Sequence, residues 1–422
     1  MPTTPRTADD SPLAPAPAAP ARPARPGGVL ARYTTAAVAV RLTDEGARVA
    51  MVLLALERTG STAYGGLLVA ALMVPHVVAA PLVGAAADRV RRRRLFYIGS
   101  LTGYAAALAG AAVLVETSRL LTVALVIVAG CFAPLLIGGL TSLLSELAPD
   151  RLKRAYGLDS ASYSLAGIAG PALAAVLAGL VGATTTLILL AGVVLLGCVT
   201  LWTLPLRTRP PGSREGGHAP VLAAVPVLWR RRALGAVTLG TSLGQLGIGA
   251  MPVIAALLAR HYGDASLTGV FMSTAAVGGL VGSLVYARYP LRGPQPERVV
   301  VVALLATAVP FALVPLMPSM WLTLPLFLLV GLINAPLFCG LLEVREREAP
   351  RDVHTQVFAL GAGLKSTAAA AGAALAGVLT GWGTGALLFG VAACHLLGAL
   401  TGEAVLRRAD SPVSTSPLEK MS

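Results

Sequence analysis

Arg41 to Arg48 reads RLTDEGAR and places four charges inside an otherwise apolar run covering residues 34–56. Successive residues of a helix turn through about 100°, so Arg41, Asp44, Glu45 and Arg48 fall within an arc of roughly 100° and make one face ionic. Thr34, Ala37 and Val52 extend that face. At the centre of a bilayer each charge costs about 2.5 to 3.5 kcal/mol to insert, so four of them exceed what the flanking Val, Ala and Leu residues return. The face must turn toward protein or a water-filled cavity, and other helices are needed to enclose it.

Composition supplies those helices. The chain has 422 residues, 55% of them hydrophobic and 13% charged, with a mean hydropathy of +0.75. That is too apolar for a soluble domain and indicates a polytopic membrane protein. Twelve spans are expected, at residues 34–56, 62–87, 95–115, 120–146, 156–182, 184–206, 234–258, 266–287, 299–317, 320–342, 354–380 and 384–405. The fold class expected is therefore all-α integral membrane, with a six-helix bundle over residues 32–206 and another over 233–408. A linker at 207–232 joins them, its second part a short interfacial helix ahead of Arg230, and disordered tails lie at 1–31 and 409–422.

The net charge of +13 does not mark a nucleic-acid binder, because the basic residues come in short runs between apolar segments and aromatic residues are only 5%. Cys131, Cys198, Cys339 and Cys394 show neither CxxC nor Cys/His spacing, so free thiols are expected rather than a disulfide frame or a metal site. No GxxxxGK[ST] signature occurs, so ATP is not the direct energy source. No cofactor and no enzymatic activity are expected. With the N-terminus inside, 27 of the 33 Lys and Arg residues fall in the tails and inward loops and only Arg58, Arg119 and Arg260 in outward ones. That bias puts both termini in the cytoplasm of a plasma-membrane protein.

A repeat runs at an offset of about 202 residues. Ala133-Pro134 recurs at Ala335-Pro336, Glu146 to Pro149 returns as Arg347 to Pro350, Gly66 matches Gly269, and Gly170-Pro171 matches Gly372-Ala373. Two parallel halves with a substrate site between them near mid-membrane are one solution to alternating access.

Between the second and third spans, Gly84 to Arg94 reads GAAADRVRRRR. It resembles the G-x-L-a-D-R-x-G-R-[RK] loop of the major facilitator superfamily in position, spacing and topology. The resemblance implies that Gly84 allows close helix packing and that Asp88 latches the two halves on the cytoplasmic side. Arg89, Arg92 and Arg93 would bond or balance that carboxylate. Arg91 replaces the later glycine of the motif, and Leu291 stands in the register of Asp88 in the second half, so the latch acid occurs once. The fifth span is similar to the G-x8-G-x3-G-P-x2-G-G signature of the superfamily's drug antiporters. Gly157, Ala166, Gly170, Pro171, Ala174 and Ala175 occupy its positions, three glycines having become alanine. Small residues also serve ordinary close packing. The fourth span lacks the mid-helix Arg of many proton-coupled relatives, a role Arg41 or Arg48 could fill from the first.

The remaining polar residues are few. Lys365 stands well inside the eleventh span and needs a partner, water or a neutral form. Asp159, Tyr163, Gln245 and Asn334 suit interhelical hydrogen bonds or a cavity wall, His76 and His395 read as packed, and Glu146 and Glu343 cap or meet solvent near helix ends. The resulting expectation is a monomeric, lipid-embedded secondary transporter that exports small amphipathic organic molecules against protons. Its cavity would be lined by Arg41, Asp44, Glu45, Arg48, Gln245, Asn334 and Lys365. The alternatives are an uptake carrier for a metabolite anion held by Arg41 and Arg48, or a membrane sensor without flux.

Overall fold

The computed structural model describes residues 26–206, 222–263, 267–291, 293 and 295–407. Twelve long helices run through it: α1 (Pro26–Thr59), α2 (Tyr64–Arg89), α3 (Arg93–Leu114), α4 (Arg119–Leu147), α5 (Pro149–Val181), α6 (Ala183–Trp202), α7 (Arg232–His261), α8 (Leu267–Arg288), α9 (Pro296–Leu316), α10 (Met320–Glu348), α11 (His354–Trp382) and α12 (Thr384–Arg407). A short linker helix, Ala224–Arg230, precedes α7, as the sequence suggested. Among the described residues eleven helices are long and apolar enough to cross a membrane. The twelfth is α1, whose embedded charges lower its mean hydropathy without shortening it. At about 1.5 Å per residue even the 20-residue α6 spans roughly 30 Å, the thickness of a hydrocarbon core.

All four tryptophans lie near helix ends and are exposed. Trp202 and Trp229 are at the end that carries the linker helix, Trp321 and Trp382 at the far end. Indole rings, amphipathic and polar at one edge, are favoured at such levels. Between these levels large apolar side chains such as Val113, Val199 and Val302 are more than half exposed, which suits a lipid-facing surface.

The twofold repeat is visible in the turns. Gly60 between α1 and α2 has φ +64°, and Gly263 between α7 and α8 has φ +80°. Gly182 between α5 and α6 has φ +82°, and Gly383 between α11 and α12 has φ +85°. Only glycine adopts this region without a Cβ penalty, so the same two hairpins close in both halves. Elsewhere the halves diverge. After Pro134, α4 widens into a π-helical stretch, Leu135–Gly139, whereas α10 continues as α-helix through Pro336. The carbonyl of Gly139 is satisfied by the Tyr97 hydroxyl at 2.8 Å and the Ser142 hydroxyl at 2.7 Å, which makes the irregularity tolerable away from water.

One boundary moves. Residues 26–31, expected in the tail, form the start of α1, where Pro26 brings a preset φ and no N–H to leave unpaired. Arg32 then anchors this end, donating to Gly28 O at 3.0 Å and Thr203 O at 2.8 Å. Expectations for residues 1–25, 207–221 and 408–422 lie outside the described residues.

Candidate functional site

A cavity of about 480 Å³ lies between the halves. Glu45 and Arg48 of α1, Thr141 of α4, and Ser160 and Tyr163 of α5 line one wall. Gln245 of α7, Asn334, Phe338 and Arg345 of α10, and Lys365 of α11 line the other. Its size suits an organic molecule of modest mass.

The ionic face of α1 divides in two. Glu45 and Arg48 reach the cavity, Glu45 being about a third exposed at 34%. Arg48 spans both acids, donating to Asp44 Oδ2 at 2.6 Å and to Glu45 Oε2 at 2.9 Å, and the buried Asp44 also accepts from Tyr104 at 3.1 Å. Arg41 does not join them. Its guanidinium turns to α4 and α5, where it meets Asp159 Oδ1 at 2.7 Å, the carbonyl of Asp159 at 3.1 Å, the hydroxyl of Ser162, and Thr141 Oγ1 at 3.1 Å. Tyr33 and Thr141 donate to the same carboxylate at 2.6 Å and 2.9 Å. With Arg41 only 2% exposed and Asp159 fully buried, this is a closed ion pair behind the wall. The expectation that Arg41 faces the cavity and balances Asp44 and Glu45 is therefore corrected. Arg41 sits one turn earlier on the arc, close enough to α4 and α5 for its two terminal nitrogens to find acceptors, and a buried charge takes a site that pairs it with an opposite one. It does bring a guanidinium to the α4–α5 junction, where α4 lacks its own.

A stack leads from this pair across the molecule. Arg41 lies over the Tyr163 ring, 3.6 Å from its centroid; Tyr163 meets Phe338 edge-on at 5.3 Å; and Lys365 Nζ stands 5.1 Å from the Phe338 centroid. Gln245 and Asn334 face the cavity and form no side-chain hydrogen bond among the described residues, so they are wall residues rather than helix-to-helix links.

Below the cavity the halves are sealed at the linker end. Asp88 Oδ1 and Oδ2 accept the backbone N–H groups of Thr355 and Gln356, at 3.0 Å and 2.9 Å, in the first turn of α11. Val353, at the cap position of α11, gives no side-chain cap, so a carboxylate from the other half does. The arginines were expected to hold Asp88. Instead Arg93 binds Glu146 at 2.8 Å, and Arg92 is exposed. Backbone amides compete well here because they are fixed in position and already point outward from the helix end. Gln356 then joins three elements, its Oε1 accepting from Ala224 of the linker helix at 2.8 Å and its Nε2 donating to Pro81 O at 3.3 Å.

Small residues make the seam possible. A Cβ on Gly84 would come within 2.6 Å of Gln356 Cα, one on Gly138 within 2.6 Å of Phe358 O, and one on Gly157 within 2.7 Å of the Ala287 backbone. Gly170 packs on α1 beside Leu42 and Glu45, next to Pro171. Ala166 and Ala174 are buried, whereas Ala175 faces outward and takes no part in these contacts. Polar links close the other side: Lys153 to Glu343 at 3.3 Å and Leu291 O at 2.8 Å, Tyr156 to Glu346 at 3.2 Å, and Ser160 to Ser283 at 2.8 Å.

The sequence pattern of the Major Facilitator Superfamily matches residues 34–373. The chain belongs to that superfamily. It is accordingly a multi-pass membrane transporter acting on small-molecule substrates. An "Uncharacterized MFS-type transporter y4rN" of Sinorhizobium fredii is 28% identical over 356 residues, 82% of this chain and 86% of that relative. "Multidrug efflux pump Tap" of Mycobacterium tuberculosis is 27% identical over 361 residues, 79% of this chain and 82% of the pump. Among solved structures, the human organic anion transporter MFSD10 superposes with a TM-score of 0.73 at 19% identity, over 90% of this chain and 100% of that one. A bacterial homologue of the iron transporter ferroportin, in its outward-facing state, gives 0.69 at 15% over 90% and 100%. These superpositions carry the superfamily fold.

Of the charged residues on the cavity, reading the sequence missed Arg345. A tenth span ending at residue 342 leaves Arg345 in an inward loop. In the structure α10 continues to Glu348 and Arg345 is 3% exposed. The glycine at 361, one helix away, leaves the room its guanidinium occupies.

Proposed function

We propose that this chain is a proton-coupled exporter of small amphipathic organic molecules, working as a monomer in the plasma membrane with both termini in the cytoplasm. The observation that carries the reading is the Glu45–Arg48–Asp44 cluster, where one carboxylate reaches a cavity between two six-helix halves and its partner does not. A carboxylate open to the cavity can exchange a proton with it, while Asp44, enclosed by Arg48 and Tyr104, holds Arg48 in place. Proton uptake at Glu45 would release one arm of Arg48 and alter the contact between α1 and the α5 backbone at Gly170. The similarity to a pump named for multidrug efflux supports export over uptake, as does the antiporter-like pattern of α5. Arg41 and Arg48 both carry intramolecular partners, which weighs against an uptake site built on them.

Flux in proteoliposomes with an imposed pH difference tests the reading. The Glu45→Gln variant should reach normal abundance, lose pH-driven uphill transport, and keep downhill exchange, because the cavity and the seal are unchanged. Uphill transport at the wild-type rate in that variant would remove the coupling role.

A further inference from the structure

The cavity walls are unequal in charge. Every carboxylate near it has a cation or a donor of its own: Asp44 and Glu45 share Arg48, Asp159 has Arg41, Glu343 has Lys153 and Tyr286, and Glu346 has His354 and Tyr156. On the α10–α11 wall stand two cations without an ion-pair partner among the described residues, Arg345 and Lys365. Arg345 is 3% exposed, and its Nε and Nη2 make no hydrogen bond. A buried guanidinium with donors unfilled is costly, and the fold nevertheless reserves space for it. Gly361 of α11 lies directly against the guanidinium, where any Cβ would collide with it. Lys365 follows Gly361 by four residues, one turn along the same face of α11, which places it next to Arg345 on the same cavity. On α10 the Cα–Cβ bonds tilt toward the helix start at the far end, so Arg345 reaches from the floor of the cavity into it.

We propose that Arg345 and Lys365 form the headgroup site for an amphipathic organic anion, a carboxylate, sulfonate or phosphonate on an apolar body. The body lies against Phe338, Tyr163, Leu337 and Val330, which line the same cavity. A guanidinium presents paired donors to an oxyanion and an ammonium adds a point charge, so the two together favour a delocalised anion over a single polar group. Two cations held together against their own repulsion are relieved by one anion between them, which gives the site its selectivity. The proposal rests on the reading of this cavity as the transport site.

The test uses two probes of one shape and opposite charge, naphthalene-2-sulfonate and 2-naphthyltrimethylammonium. Binding is measured on the purified full chain and exchange on proteoliposomes. The wild type should bind the sulfonate and discriminate against the ammonium. Lys365→Met, which replaces the ammonium with an apolar chain of similar length, should weaken sulfonate binding roughly tenfold or more while remaining monodisperse. Arg345→Gln should do the same; should it fail to fold, Lys365→Met beside Lys365→Arg, which should bind nearly as the wild type, decides alone. Equal binding of both probes, absence of sulfonate binding, or sulfonate binding unchanged in folded Lys365→Met overturns the anion site. So does complete displacement of the sulfonate by chloride at physiological concentration, since the pair would then hold only an inorganic counter-ion. Exchange of the ammonium but not the sulfonate sinks the anion site and leaves transport standing. Sulfonate binding with exchange of neither probe keeps the site and sinks the transport reading.

Discussion

At the scale of single residues, the first helix shows how a charge pattern can be legible while its partners are not. Four charges on one arc of α1 required a polar interior, and the structure provides it. Their pairing depends on contacts across 118 residues between Arg41 and Asp159, which no local periodicity encodes. Arg345 escaped notice for a related reason: a charge in the last turns of a helix is indistinguishable by hydropathy from one just beyond it. The Arg41–Asp159 pair makes a sharp expectation. Both groups are buried, so removing either leaves an uncompensated charge at a cost of about 3 to 5 kcal/mol. Arg41→Met and Asp159→Leu should each deplete folded protein strongly from the membrane, and the double variant should recover much of it because no charge is stranded. Membrane abundance followed by size-exclusion profiles checks this, and a double variant no better than either single would mean that the pair does more than neutralise itself.

At the scale of elements, the α2–α11 seam combines a steric and an electrostatic requirement. Gly84 lets the helices approach, and only that approach brings Asp88 onto the amides of Thr355 and Gln356. The GAAADRVRRRR stretch made the location of the latch legible. It could not reveal that the carboxylate binds a helix end rather than the adjacent arginines, because amides at a helix start carry no sequence identity. The same limit applies to α4, where Pro134 announces a disturbance but the π-helical form depends on Tyr97 and Ser142 taking the Gly139 carbonyl. Asp88→Asn retains one acceptor and loses the charge, and should weaken the closed seam by about 1 to 3 kcal/mol. Gly84→Leu should open it more fully, since backbone cannot yield as a side chain can. A cysteine at Ser142, buried beside Thr355 in this state, should become more reactive to a maleimide in both variants, and more so in Gly84→Leu. Unchanged reactivity would show that the seam holds by other contacts.

At the scale of the whole molecule, the hydrogen bonds and ion pairs found between the halves gather at the linker end, and the proposed transport cycle predicts that they set the preference for this state. Two groups of contacts contribute from opposite sides: the Asp88 cap between α2 and α11, and Lys153 with Glu343 and Leu291 between α5 and α8–α10. They share no partner, so their effects on the equilibrium between end states should add to within about 0.5 kcal/mol. They should also differ in size. Lys153 is half-exposed, which holds its ion pair to roughly 0.2 to 1 kcal/mol, whereas the Asp88 cap is buried. Each 1.4 kcal/mol changes the ratio of the two states about tenfold, so Asp88→Asn should shift it by roughly five- to a hundred-and-fortyfold, Lys153→Met by about fivefold or less, and the double variant by the product. Spin labels at Arg92→Cys and Asp352→Cys report the linker end, and labels at Thr117→Cys and Thr380→Cys the far end, all four positions being exposed. With Cys131, Cys198, Cys339 and Cys394 replaced by serine, the first pair should move apart in the order Lys153→Met, Asp88→Asn, double, while the second pair closes in the same order. Separation at the linker end without closure at the far end would mean that the halves do not rock as rigid bodies. No change at either end in the double variant would mean that these contacts follow the closed state and do not determine it.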